Sequence, residues 1–191
     1  MTEPLGTPQR ITLHWTAGNN TTNFADYHAC VRGDGTYVKT RPLTEKGAHT
    51  WFRNSGNIGL AFDGEMNAHP APDGHGGYKP VGSPFPIPTI AIETMAKAVA
   101  ELCLTHSIPL HGVIAQPEYR RVGKGTPDDT LIATGHNCLV PTVTDHRWYA
   151  VQDQYPDERW DIADLLPEVI GKAAWYLEKL HSGEQHLQYT I

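Results

Sequence analysis

The stretch TIAIETMAKAVAELCLTH, residues 89–106, constrains this chain more than any other. Ile92, Met95, Val99, Leu102 and Cys103 recur at spacings of three and four, which makes one apolar face of an α-helix. Thr89, just after Pro88, is placed to cap it. A one-faced helix has to bury its stripe against another layer. Short apolar runs on both sides supply that layer. RITLHW (10–15), NIGLAF (57–62), HGVIA (111–115) and LVPTVTDH (139–146) read as strands. HACVRGDGTYVKTR (28–41) reads as a β-hairpin turning on GDG. DIADLLPEVIGKAAWYLEKL (161–180) is a second amphipathic helix with Leu166, Ile170, Ala173, Leu177 and Leu180 inward, and Pro167 either starts it or breaks it in two. A short helix is expected within NNTTNFADYH (19–28). Residues 67–88 and 117–139, rich in Gly, Pro and His, are expected to be irregular. The fold class is therefore α/β (α+β), a central mixed β-sheet flanked by helices. One domain over residues 1–191 is expected, with residues 1–9 a loose leader.

Charge and composition narrow the function classes. A formal charge of −6 with no basic run argues against a nucleic-acid partner. No stretch of about 18 apolar residues occurs, so membrane insertion is not expected. The segment MTEPLGTPQR lacks a charged region followed by an apolar one, which points to cytoplasmic synthesis without a signal peptide. Cys30, Cys103 and Cys138 are an odd number at wide spacing and read as buried free thiols. Eleven histidines against three cysteines direct attention to a histidine-based site.

Two histidines end strands beside loops: His14 after ITL and His146 after PTVTD. Rigid strand ends hold ligands well, and a nearby carboxylate from Asp153, Asp157 or Asp161 would complete a three-ligand zinc site with an open position. Ordinary surface or core histidines remain the alternative. No H-E-x-x-H run is present, which excludes that class of zinc protease.

Five segments, in order, carry a resemblance: ITLHWTAG, YHACVRGDGTYVKTRPL, GAHTWFRNSGNIGLAFDG, TDHRWYAVQDQYP and ERWDIADLLP. Together they resemble the zinc-dependent N-acetylmuramoyl-L-alanine amidases of the type-2 amidase and peptidoglycan-recognition fold, which includes many phage lysins. The resemblance implies Zn2+ as cofactor, with His14 and His146 as ligands and Asp161 as the third. Asp157 is a second register for that third ligand, and a capping or surface carboxylate is the other reading of either. Arg159 stands where the family usually has a Lys. It can stabilise charge on the carbonyl oxygen but cannot readily give up a proton. Tyr27 matches a tyrosine that assists the attack in some members; Ala61 stands where others carry a Glu. His49 matches a histidine lining the substrate groove, and Asn57 is expected to hold the loop that carries it. His28 is expected on the back of the sheet, and the remaining histidines on the surface.

The implied activity is hydrolysis of the amide between N-acetylmuramic acid and L-alanine, with peptidoglycan or a muropeptide as substrate. A non-catalytic peptidoglycan-binding module of the same fold is the alternative. A phage lysin released by a holin and a cytoplasmic recycling enzyme both fit the resemblance. The oligomeric state is open, with a monomer expected. Residues 117–142 read either as a lid or specificity loop over the cleft or as a surface insertion.

Overall fold

The computed structural model describes residues 2–72, 78–146, 161–162 and 164–183. Among these, a five-stranded sheet has the order β3-β2-β4-β1-β9. Its strands are β1 (Arg10–Trp15), β2 (Ala29–Val31), β3 (Tyr37–Lys39), β4 (Asn57–Phe62) and β9 (Val143–Asp145). All neighbours run parallel except β2 and β3, the hairpin expected around GDG. The sheet is thus mixed.

Strand β1 shows how the sequence builds two different faces. All six of its residues are buried. Ile11, Leu13 and Trp15 sit in register with Ile58, Leu60 and Phe62 of β4, and all six belong to the hydrophobic core. Side chains alternate along a strand, so Arg10, Thr12 and His14 project from the opposite face. Their β4 partners there are Asn57, Gly59 and Ala61. That face is polar yet closed, and its small residues leave room above it.

The helices cover the apolar face. In α1 (Thr89–His106), Ile92, Met95, Val99, Leu102 and Cys103 are buried, as the spacing requires. The N-cap position is held by Pro88, and Thr89 is already the first helical residue. Helix α2 (Leu166–Ser182) packs on α1 and carries Pro167 in its first turn, so the proline starts this helix. Val169, Ala173 and Tyr176 are its buried residues, and Leu166, Ile170, Leu177 and Leu180 pack half-buried against the core. Tyr176 donates its hydroxyl hydrogen to Glu93 of α1 at 2.8 Å, and Lys172 pairs with the same carboxylate.

Several expectations need correction. Leu5, in the leader, is 1% exposed, and its backbone bonds to Thr44 and Gly56 tie the leader down. Residues 19–27 form turns because Asn19 Oδ1 accepts from the Thr21 amide and Asp63 from the Asn23 amide, in competition with a helical ladder. The 67–88 segment contains a small hairpin, β5 (His69–Pro72) with β6 (Tyr78–Val81). Residues 113–141 form a long antiparallel arm, β7 (Val113–Val122) with β8 (Thr130–Pro141), bulged between Pro117 and Tyr119. LVPTVTDH is accordingly two strands: β8 ends at Pro141, and the chain enters the central sheet at Val143. Cys30 and Cys103 are buried thiols, whereas Cys138, on the arm, is only half-buried. Among the described residues no helix is long and apolar enough to cross a membrane.

Candidate metal and active site

The register of the sheet positions the two strand-end histidines. Strands β1 and β9 run parallel with Leu13 opposite Asp145. One residue further along each strand come His14 and His146, whose rings lie 4.7 Å apart, centroid to centroid. Ligand sites in open α/β sheets gather at such carboxyl ends of strands. Asp161 completes the group. Its Oδ1 accepts the Trp15 amide hydrogen at 2.9 Å, which anchors the carboxylate to the end of β1. Its Oδ2 lies 3.4 Å from His14 Nδ1 and 3.3 Å from His146 Nδ1. One ligand atom from each of the three residues falls within 4.8 Å of the others.

Burial sets the electrostatics. It pushes the His14 imidazole down to about 4, only partly opposed by Asp161. Burial acts to raise the Asp161 carboxyl, but the imidazoles of His14 and His146 set against it more than offset this and hold the group below the usual carboxylate range. At neutral pH the His14–Asp161 contact therefore joins a neutral imidazole to a carboxylate rather than two ions. A neutral histidine and an ionised aspartate are the states in which these residues bind metal. The donor set of two nitrogens and one oxygen suits zinc in its catalytic, three-ligand form.

The group forms one wall of a cleft of about 290 Å³, lined also by Trp15, Thr16, Ala17, Asp26, Tyr27, Ala48 and His49. The Tyr27 ring is 5.1 Å from the His14 ring, and its hydroxyl donates to the Trp15 carbonyl at 3.3 Å. His49 is 7% exposed, and its Nδ1 lies 3.1 Å from His14 Nε2. Burial, then the neighbouring His14 and His28, hold the His49 imidazole well below its ordinary value. His28 does not sit apart from this group, as the sequence reading had it. Its ring is 5.9 Å from that of His49, and it accepts the Gly59 amide hydrogen on Nδ1.

Two asparagines divide the work of holding the His49 loop. Asn57 Nδ2 donates to the Arg53 carbonyl at 3.0 Å, while Asn54 Oδ1 accepts the amides of His49 and Thr50 at 3.1 and 2.8 Å. Asn54, Asp26 and the Trp15 amide were not singled out in the sequence, and no local pattern marks them. Arg159, Asp153 and Asp157 lie outside the described residues.

Gly59 makes the close packing possible. A Cβ there would lie 2.4–2.6 Å from atoms of the His49 ring. Gly59→Ala is expected to cost about 1–3 kcal/mol of stability by overpacking and to displace His49. Urea unfolding and the His49 ring resonances read both effects.

Residues 4–147 match the family described as N-acetylmuramoyl-L-alanine amidase. The chain belongs to that family. Three solved structures share the amidase's fold. The N-acetylmuramoyl-L-alanine amidase LysC from Clostridium intestinale URNW superposes with a TM-score of 0.52 at 15% identity, covering 88% of this chain and 89% of its own. The Staphylococcus aureus hydrolase AmiA, in complex with its ligand, gives 0.51 at 16% identity over 95% and 80%. A mutant endolysin from Bacillus subtilis gives 0.50 at 15% identity over 90% of each chain. At these identities the likeness is one of fold, the mixed sheet with helices packed on its apolar face. No curated protein matches the chain. The amidase is an enzyme of the peptidoglycan-cleaving class by its family.

Proposed function

We propose that this amidase hydrolyses the amide between N-acetylmuramic acid and L-alanine of peptidoglycan in a zinc-dependent reaction, with His14, His146 and Asp161 holding the ion. One observation carries the reading: three ligand atoms from distant parts of the chain converge within 4.8 Å at the wall of a cleft. Two neutral imidazoles and one carboxylate leave a dicationic metal a net positive charge. When bound, zinc supplies a Lewis acid that brings the pKa of a water toward neutrality and polarises the scissile carbonyl.

The chain's own groups do the rest. Asp161, tied to the Trp15 amide, keeps the ligand set rigid. Tyr27, beside the His14 ring at the cleft, would turn its phenolic proton from the Trp15 carbonyl to the reacting carbonyl and stabilise charge developing on that oxygen. By the family resemblance, Arg159, which lies outside the described residues, would supply a permanent cation for the same oxygen. Water oxygen bonds to the carbonyl carbon, the carbon–nitrogen bond breaks, and a proton passes to the departing amine of L-alanine.

The test is zinc content of the purified protein together with release of free stem-peptide amino termini from cell walls, with His146→Ala alongside. Stoichiometric zinc and new L-alanine amines in the wild type, both lost in the variant, are expected. A metal-free, inactive wild type that still binds walls overturns the reading in favour of a binding module. A Tyr27→Phe variant is expected to retain zinc and lose about 10²–10³ in kcat if its hydroxyl stabilises the oxyanion.

A further inference from the structure

We infer that His49 is a positioning residue that fixes the tautomer of His14, leaving the His14 nitrogen that faces Asp161 without a proton. The chain of protons starts at a backbone atom. The Asn57 carbonyl oxygen lies 3.1 Å from His49 Nε2 and can only accept. His49 Nε2 therefore carries the N–H. A neutral imidazole has one such proton, so His49 Nδ1 is an acceptor. Two groups reach it, His14 Nε2 at 3.1 Å and the rotatable Thr50 hydroxyl at 3.0 Å; the ring nitrogen cannot turn away, and opposite a lone pair at that distance it is favoured as the donor. The proton of His14 then sits on Nε2, and His14 Nδ1 presents a bare lone pair.

That lone pair faces Asp161 Oδ2 at 3.4 Å, longer than an ordinary N–H···O bond. Two acceptors thus confront each other in a buried place, and a cation satisfies both. The ordering is dictated from the sheet rather than from the cleft. Asn57 begins β4 and is fully buried; its Oδ1 accepts from Thr12 at 2.9 Å and its Nδ2 donates to Arg53. Asn54 fixes the backbone that carries the His49 ring. Both nitrogens of His49 are engaged inside the protein, so a groove role for this residue would be left to its carbon edge. Metal-ligating histidines depend on the partner of their second nitrogen for orientation and basicity. Here that partner is another histidine, whose own tautomer is set by a main-chain carbonyl.

The inference rests on His14 being a metal ligand, and the experiment separates the two. Long-range 1H–15N correlation spectra of the metal-free wild-type protein read the ring protonation directly. His14 and His49 are both expected to carry hydrogen on Nε2; hydrogen on His14 Nδ1 overturns the inference without any variant. Zinc affinity by chelator competition is the second readout. His49→Ala is expected to weaken binding by about 10–100-fold. His49→Asn, whose Oδ1 can accept in place of Nδ1, is expected to recover most of that loss. A folded His49→Ala protein with unchanged zinc affinity and only a raised KM would make His49 a substrate contact and overturn the inference. Should His49→Ala not fold, the wild-type spectra and the Asn variant still decide. A wild type that binds no zinc refutes the metal site, whereas the spectra of the metal-free protein continue to report on the His49–His14 relation.

Discussion

Asp161→Ala is expected to lose bound zinc and wall hydrolysis together, with zinc affinity falling by more than the roughly 10–100-fold typical of outer-shell partners. The carboxylate has two tasks that substitution can separate. Oδ2 is the only oxygen ligand in the group, between the Nδ1 atoms of His14 and His146. Oδ1 accepts the Trp15 amide, and leaving that buried N–H without a partner costs about 1–3 kcal/mol. Asp161→Asn keeps an oxygen for the Trp15 amide and removes the negative charge. It is expected to fold with near wild-type stability and still lose zinc. The measurements are bound zinc per chain, chelator competition and urea unfolding on the same preparations. Both variants retaining full zinc, with loss in Asp157→Ala, would transfer the ligand role to the other register of the sequence.

How much of this was legible in the sequence differs from element to element. Helix α1 was readable because a long 3–4 spacing has few other meanings. Strands β1 and β4 were readable as apolar runs, but their value to the site was not. It lies in which residues share a face: Gly59 and Ala61 opposite Thr12 and His14 open the space that His49 fills, and such register is a tertiary property. The β7–β8 arm was missed because it packs mainly on itself. Its burial alternates only weakly, Glu118, Arg120 and Arg121 interrupt any apolar pattern, and Pro117 reads as a breaker although it sits at a bulge. The arm leans on the segment after His49, where Arg53 donates to the Pro117 carbonyl at 3.2 Å and the rings of Phe52 and Tyr119 lie 6.0 Å apart. His14, His146 and Asp161 came from motif order, which carries no distances. Their meeting in space needed the parallel pairing of β1 with β9, between segments some 130 residues apart. The link from His49 to His14 had no sequence signal, since two histidines 35 residues apart are related only through the sheet.

The metal-free amidase is expected to lose stability steadily as pH falls from 6.5 to about 4. In the unfolded chain His14 protonates near 6.5, whereas burial holds the folded group at about 4. Between these values the unfolded state binds a proton that the folded state refuses, so unfolding is favoured as pH drops and stability rises with pH. Fully developed below about 4, the penalty from His14 is about 3 kcal/mol, and above 6.5 it is absent. Burial lowers His28 and His49 as well, so their contributions have the same sign. Asp161 acts in a lower window. Its folded pKa lies below the ordinary 3.8, and the stability it provides is present above that value and lost as pH falls through the folded one. Urea unfolding of chelator-treated protein at half-unit steps from pH 7.5 to 4.5 measures the slope, and a flat free energy across this range would refute the assignment of a buried neutral His14. Added zinc is expected to steepen the profile, because a ligand bound only by the folded chain stabilises it in proportion to occupancy. Occupancy falls once protons compete for His14 and Asp161. The gain in stability from saturating zinc should therefore be large at pH 7 and small near pH 4, with the difference reporting how many ligand protons the metal displaces.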